Sequence, residues 1–384
     1  MTDTTTDPAG TTAGAGAVAG AAAAGAAAGA VGVPGSDPES GDGCEAVEIL
    51  ASTRAHVDPE LRRAIDTLPG SLRRVALYHF GWERADGTPA AGHAGKAIRP
   101  ALVLTAVRAL GGEPALAVRA AAAVELVHNF TLLHDDVMDR DTTRRHRPTA
   151  WTVFGVADAI LAGDAMQALA QRLLADDPHP GAAVAAARLA TCVMELCAGQ
   201  QADCELERRD PDEVTLDECL AMAEAKTGAL LGCACALGAV YAGAGREEID
   251  ALDGFGREAG LAFQLIDDVI GIWGDPGHTG KPAGADLAVH KKSLPVVAAL
   301  ASGTPAAAEL AELYRRPPGG TEGDPQSAAC AARAVESAGG RDWAQVHAAD
   351  RMSRAIVLLA RAVPDPESAG GLLALAEFVT RRTH

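Results

Sequence analysis

"ELVHNFTLLHDDVMDRDTTRRHRPT" (residues 125–149) ends an apolar run, "AAAVELVHNFTLL", with an abrupt crowding of charge: residues 134–149 hold four aspartates and four arginines. The apolar run has helical spacing, and on a helix Asp135 and Asp139 share a face with Asp136 at its edge. One reading is a surface helix laced with ion pairs, each contributing only about 0.3 kcal/mol. The other starts from the repulsion of like charges on one face, which a divalent cation relieves. Oxygen-only ligands with room for water suit Mg rather than Zn.

The rest of the chain extends the helical reading. Aromatic residues make up only 3% of the 384 positions, alanine is abundant and β-branched alternation is scarce, so an all-α protein is expected. Turn chemistry at "LPGS" (68–71), "GGEP" (111–114), "DDPHPG" (176–181), "RDPDE" (209–213), "GAGRE" (243–247) and "GDPGHTGKPAG" (274–284) separates the helices. Four long ones are expected near 115–139, 181–207, 215–241 and 246–272, as the centre of a bundle.

Net charge is −18, which disfavours nucleic acid and anionic membranes. The eight cysteines form no CxxC pair and mostly sit among Ala and Leu, the pattern of reduced thiols in a cytoplasmic protein. Residues 1–43 differ from the remainder: Ala and Gly dominate, Lys and Arg are absent, and five acids supply −5 of the charge. They read as a disordered tail before a single domain at 44–384. Ala and Gly transfer weakly into lipid and no basic leader precedes them, so neither a membrane span nor export is expected.

A second acidic helix end, "FQLIDDVIGIWGDPGHTGKP" (263–282), carries Asp267 and Asp268. In a bundle, carboxylates on opposed helices converge on one interior site. Lysine usage points the same way. Of 33 basic residues only five are Lys: Lys96, Lys226, Lys281, Lys291 and Lys292, all near helix ends or Gly-rich turns, where compact ammonium groups suit phosphate oxygens. One polyanionic substrate accounts for both signs of charge in 134–149, with aspartates holding cations and Arg144 and Arg145 reaching the phosphates.

Taken in order, "GKAIRP", "ELVHNFTLLHDDVMDRDTTRRHRPT", "AILAGDAM", "AGQQAD", "AKTGALL", "FQLIDDV" and "TGKPAGADLAVHKKSLPVV" resemble the motifs of the trans-isoprenyl diphosphate synthases, the polyprenyl synthetase family, over residues 45–384. The resemblance implies the isoprenoid synthase fold, a helical bundle around a central cavity, as a homodimer. It implies condensation of isopentenyl diphosphate with an allylic diphosphate by Mg-assisted ionisation, condensation and elimination. Roles follow by position. Asp135 and Asp139 match Mg ligands of the first motif, Asp136 its middle member, and Asp267 the principal ligand of the second, with Asp268 acting through water. Arg144, Lys226 and Lys281 match groups on the allylic diphosphate. Lys96, Arg99, His128 and Arg145 match the isopentenyl diphosphate pocket, Thr227 and Gln264 line the reacting carbons, and Lys291 is a further diphosphate contact.

Phe130, five residues before Asp135, places a ring where the growing chain travels, and the resemblance implies that an aromatic here goes with short products, geranylgeranyl diphosphate first and farnesyl diphosphate second. The second motif departs from its pattern: its third acid is Gly271, and Asp275 substitutes only if the helix continues that far. Two rivals remain open. A class I terpene cyclase fits the spacing of Asp267 and Asp275 but leaves "GKAIRP" and "HKKSLP" unexplained; a non-catalytic partner subunit of an active synthase fits the lost acid. The tail resembles the loading segments of encapsulin cargo enzymes, which makes an encapsulin shell a candidate partner through residues 1–43 and a protein nanocompartment a candidate location.

Overall fold

The computed structural model describes residues 41–90, 92, 95–274, 284–315 and 325–380. Helix α1 (Gly41–Ile65) begins ahead of the expected boundary at Cys44; α2 (Gly70–His79) and α3 (Ile98–Ala109) follow. A 3-10 turn leads into α4 (Val118–Met138), then a hairpin of β1 (Thr143–Arg144) and β2 (Arg147–Pro148), α5 (Ala150–Phe154), α6 (Val156–Ala175) and α7 (Ala182–Arg208). Next come α8 (Leu216–Ala223), a π turn (Glu224–Gly228), α9 (Ala229–Tyr241) and α10 (Arg246–Trp273). The remainder is α11 (Ala285–Ala288), α12 (Leu294–Leu300), α13 (Pro305–Arg315), α14 (Pro325–Ser337), α15 (Gly340–Ala362) and α16 (Pro366–Thr380). The expected all-α class holds, and the expected turns at 68–71, 111–114, 176–181, 209–213 and 243–247 fall between helices or at their first residues, while 275–283 of the sixth lie outside the described residues. The expected helix at 215–241 is present as one helical run, Leu216–Tyr241, with the π turn inside it.

Helix α4 runs through the core: Ala120, Ala121, Ala122, Ala123, Val124, Leu126 and Val127 are wholly buried. Its alanines let α3, α6 and α9 approach closely. Glycine does the same between α9 and α10. A Cβ on Gly260 would lie 2.8 Å from the Cα of Gly228, so the π turn presses directly on α10. Helix α10 is covered on another side by α15, and smaller apolar clusters continue the core into α12 to α15.

By length and apolar composition, Pro114–Met138, Ala182–Arg208 and Leu216–Tyr241 would suffice to cross a membrane. In the first and third, 67% of the apolar window is buried within the fold, against 39% in the second, α7. All eight cysteines are free.

The hairpin forms a two-residue turn, Arg144 pairing with Arg147. Such turns need left-handed backbone at both central positions, a role Asn-Gly usually fills. Here Arg145 (φ +52°) and His146 (φ +61°) take it.

Candidate active site

Helix α4 in its last turns and helix α10 between Phe263 and Asp267 both line a cavity of about 760 Å³. Its wall takes His128, Phe130 and Asp135 from α4, and Phe263, Gln264 and Asp267 from α10. Lys96 and Arg99 come from the start of α3 and the segment before it, Arg144 and Arg145 from the hairpin, and Lys226 and Thr227 from the π turn. The two acidic helix ends therefore meet one hollow. Lys281 and Asp275 lie outside the described residues. Helix α10 ends at Trp273, with Gly274 in extended backbone.

Within each aspartate pair the two side chains part, since successive helical residues point about 100° apart. Asp135 and Asp267 line the cavity, while Asp136 and Asp268 are buried behind it and brace other groups. Asp136 accepts from Arg144 Nε at 2.6 Å. Asp268 accepts from the Leu294 backbone N–H at 3.0 Å and from the Gln264 amide at 2.8 Å, so each of its oxygens takes one bond from the protein. Gln264 Oε1 in turn accepts from the Thr227 hydroxyl at 2.8 Å, which fixes both residues at the cavity wall.

The acids are poised for a cation. Burial pushes the Asp135 carboxyl up to about 6, opposed by Lys226 and reinforced by Asp139. Asp139 caps α4 and is likewise raised, chiefly by desolvation. Burial drives Asp268 to about 6 as well, against Lys291. Among the described residues, no three acid, histidine or cysteine side chains stand close enough to hold a metal by themselves. That donor set fits Mg, which takes one or two carboxylates and completes its shell with water and substrate phosphate.

Lys226 forms an ion pair with Asp203 of α7. Burial opposes its ammonium, but Asp203, Asp135 and Asp139 outweigh burial and raise its pKa. Asp203 belongs to "AGQQAD", noted in the sequence without a role; it is a buried acid late in an apolar helix, and that was its available signal. Lys291 does not line the cavity. It stands 3.8 Å from Asp286, with its ammonium strengthened by Asp286, Asp268, Asp203 and Asp267 against burial. Asp286 was also missed. Its carboxylate occupies the space that a side chain at Gly271 would take, its Cγ lying 2.9 Å from an ideal Cβ there. The acid lacking on α10 is thus approached by one from α11.

At the other end of the wall, Arg99 donates to His128 Nε2 at 3.2 Å. A guanidinium has no acceptor, so Nε2 accepts and the proton sits on Nδ1. Burial, then Arg99, holds the His128 pKa well below its ordinary value, so the ring is neutral. Beneath them Glu125, a third residue unassigned from sequence, is pushed by burial up to about 7 against the pull of Arg99, and accepts from Asn129 at 3.0 Å. Lys96 lies 5.1 Å from the Phe378 ring centre. Phe130 is 6% exposed and packs edge to face on His134, centroids 5.7 Å apart.

A model of the polyprenyl synthetase family matches residues 88–329. The chain is 51% identical over 335 residues to a geranylgeranyl diphosphate synthase of Mycobacterium tuberculosis, covering 87% of this chain and 93% of that protein. It is 45% identical over 337 residues to a (2E,6E)-farnesyl diphosphate synthase of the same organism, covering 87% and 92%. Among solved structures, a polyprenyl synthetase from Streptomyces coelicolor A3(2) superposes with TM-score 0.83 at 44% identity, over 87% of this chain and 99% of that one. A geranylgeranyl pyrophosphate synthetase from Pyrococcus horikoshii Ot3 gives TM-score 0.76 at 31% identity, over 87% and 98%. With its acids and cations around one cavity, and with relatives matched nearly end to end, this chain belongs to the polyprenyl synthetase family.

Proposed function

We propose that this trans-prenyltransferase makes geranylgeranyl diphosphate, with farnesyl diphosphate as the second choice, from isopentenyl diphosphate and an allylic diphosphate. The observation that carries the reading is the presence of two cationic groups on one cavity: Lys226 and Arg144 beside the acids, and Lys96, Arg99 and Arg145 further along the wall. Two groups suit two diphosphates. A cyclase binds one, and a non-catalytic subunit needs neither, so these readings are not favoured; the relatives named above are synthases.

Asp135, Asp139 and Asp267 would hold magnesium, which when bound supplies positive charge to the departing diphosphate. Lys226 and Arg144 add fixed cationic charge to the same oxygens, preorganised by Asp203 and Asp136. Thr227 and Gln264, locked to each other, orient the reacting carbons. Lys281 and Lys291 are assigned to diphosphate by resemblance. Arg99, Arg145, Lys96 and neutral His128 bind the second diphosphate, and the departing diphosphate takes the proton. Apolar wall residues such as Leu132, Leu196 and Phe263 exclude water and hold the prenyl chain, and Phe130 forms its floor.

Mass spectrometry of products from allylic diphosphates of increasing length, supplied with isopentenyl diphosphate and Mg, tests this. Geranylgeranyl diphosphate is expected. Hydrocarbon formed without isopentenyl diphosphate would establish a cyclase, and Mg-dependent binding without elongation a partner subunit.

The working form proposed is a cytoplasmic homodimer joined through α6 and α7, whose surfaces expose Val156, Ile160, Leu161, Val184 and Met194. Residues 1–43 are proposed as the segment that loads the enzyme into an encapsulin shell; their deletion should abolish co-purification with such a shell.

A further inference from the structure

The π turn that carries Lys226 and Thr227 is flanked by one glycine from each neighbouring helix, Gly199 and Gly260. A Cβ on Gly199 of α7 would come within 2.7 Å of the Lys226 backbone nitrogen, and one on Gly260 of α10 within 2.8 Å of Gly228 Cα. With backbone against backbone, the width of the gap that holds the turn depends on what ties α7 to α10. One tie lies level with the turn. Arg257 of α10 grips Glu195 of α7 with both terminal nitrogens, at 2.6 and 2.9 Å. Its Nε holds Asp253 at 2.8 Å, and Glu224, the first residue of the π turn, is 3.8 Å away. Glu195 is one helical turn before Gly199, and Arg257 three residues before Gly260. Glu195, Asp253 and Arg257 border a separate groove with Arg188 and Thr191, and none of the three lines the substrate cavity.

We propose that the Arg257–Glu195 fork is a positioning device for the reaction: it sets the spacing of α7 and α10 and so holds Lys226 and Thr227 in register with the cavity. A π turn is a poorer helical segment than the α-helix on either side, so it persists where tertiary contacts impose it. A planar guanidinium making two parallel bonds to a carboxylate fixes direction as well as distance, which an ammonium cannot do. The proposal rests on the assignment of Lys226 and Thr227 to the allylic diphosphate and reacting carbons.

The test is steady-state kinetics of the full chain with isopentenyl diphosphate, an allylic diphosphate and Mg, alongside thermal melting. Arg257→Met should lower kcat about tenfold or more, because small misplacement of reacting groups is costly, while KM for isopentenyl diphosphate stays within about twofold. Glu195→Gln should move kcat the same way, and the double variant should be no worse than Arg257→Met alone, since both remove one device. Arg257→Lys retains the charge and loses the fork; it should fall between wild type and Arg257→Met, and it replaces that variant if the latter does not fold. An unchanged kcat, losses that multiply, or a KM for isopentenyl diphosphate that rises in step with falling kcat would overturn the proposal. Lys226→Ala separates the two levels. If it loses activity while Arg257→Met and Arg257→Lys do not, only the clamp fails; if Lys226→Ala is fully active, the assignment beneath it fails and the clamp with it.

Discussion

Asp135 shows how burial sets a residue's task. Its carboxyl, held at about 6, must give up a proton to receive a cation. Apparent Mg affinity of the free protein should therefore weaken about tenfold per pH unit below 6 and level off above it, as isothermal titration with Mg alone would read. The stability sign is opposite. The folded state binds more protons than the unfolded chain between about 4 and 6, so Asp135 contributes stability at acid pH that is lost as pH rises through 6. Asp135→Asn should reduce that slope in melting curves taken across the window, with Asp268 and Glu125 supplying the remainder. At Gly271 a methyl group would displace the carboxylate of Asp286, the movable end of a side chain, so Gly271→Ala should cost only about 1 kcal/mol in stability. Its larger effect should be a raised KM for the allylic diphosphate, because Asp286 accompanies Lys291.

At the scale of elements, the hairpin stores strain. A non-glycine residue in the left-handed region costs about 1–2 kcal/mol, whereas introducing glycine gives back about 0.4–1 kcal/mol through the unfolded chain. The first effect is larger, so His146→Gly should stabilise the protein by up to about 1 kcal/mol in thermal or urea unfolding. The helices that deliver the acids were legible from the sequence: a long apolar run, a charged end and a turn signal fix α4 and α10 to within a few residues. The π turn was not. "AKTGALL" continues the helical pattern of its neighbours, and the extra residue is imposed by the close backbones of α7 and α10.

At the scale of the whole molecule, the depth of the cavity is the proposed control on product length. Phe130 is buried at its wall against His134, which is anchored 2.9 Å from the Ile160 carbonyl of α6. Removing the ring should deepen the hollow, and Phe130→Ala should shift products beyond geranylgeranyl length in the mass-spectrometric assay. The exposed apolar face of α6 and α7 gives a second expectation: sedimentation should yield a dimer, which Leu161→Asp with Met194→Asp should dissociate. The sequence by itself determined the helices, the two acidic ends and the cations, because helical period, turn residues and charge are local properties. Only the tertiary structure decided which aspartate of each pair faces the hollow and which braces Arg144 or Leu294. It also gave partners to Asp203, Glu125 and Asp286, whose roles no local pattern assigns. Those choices depend on which helices lie opposite each other and how closely they approach, and burial makes each unpaired charge costly enough to enforce them.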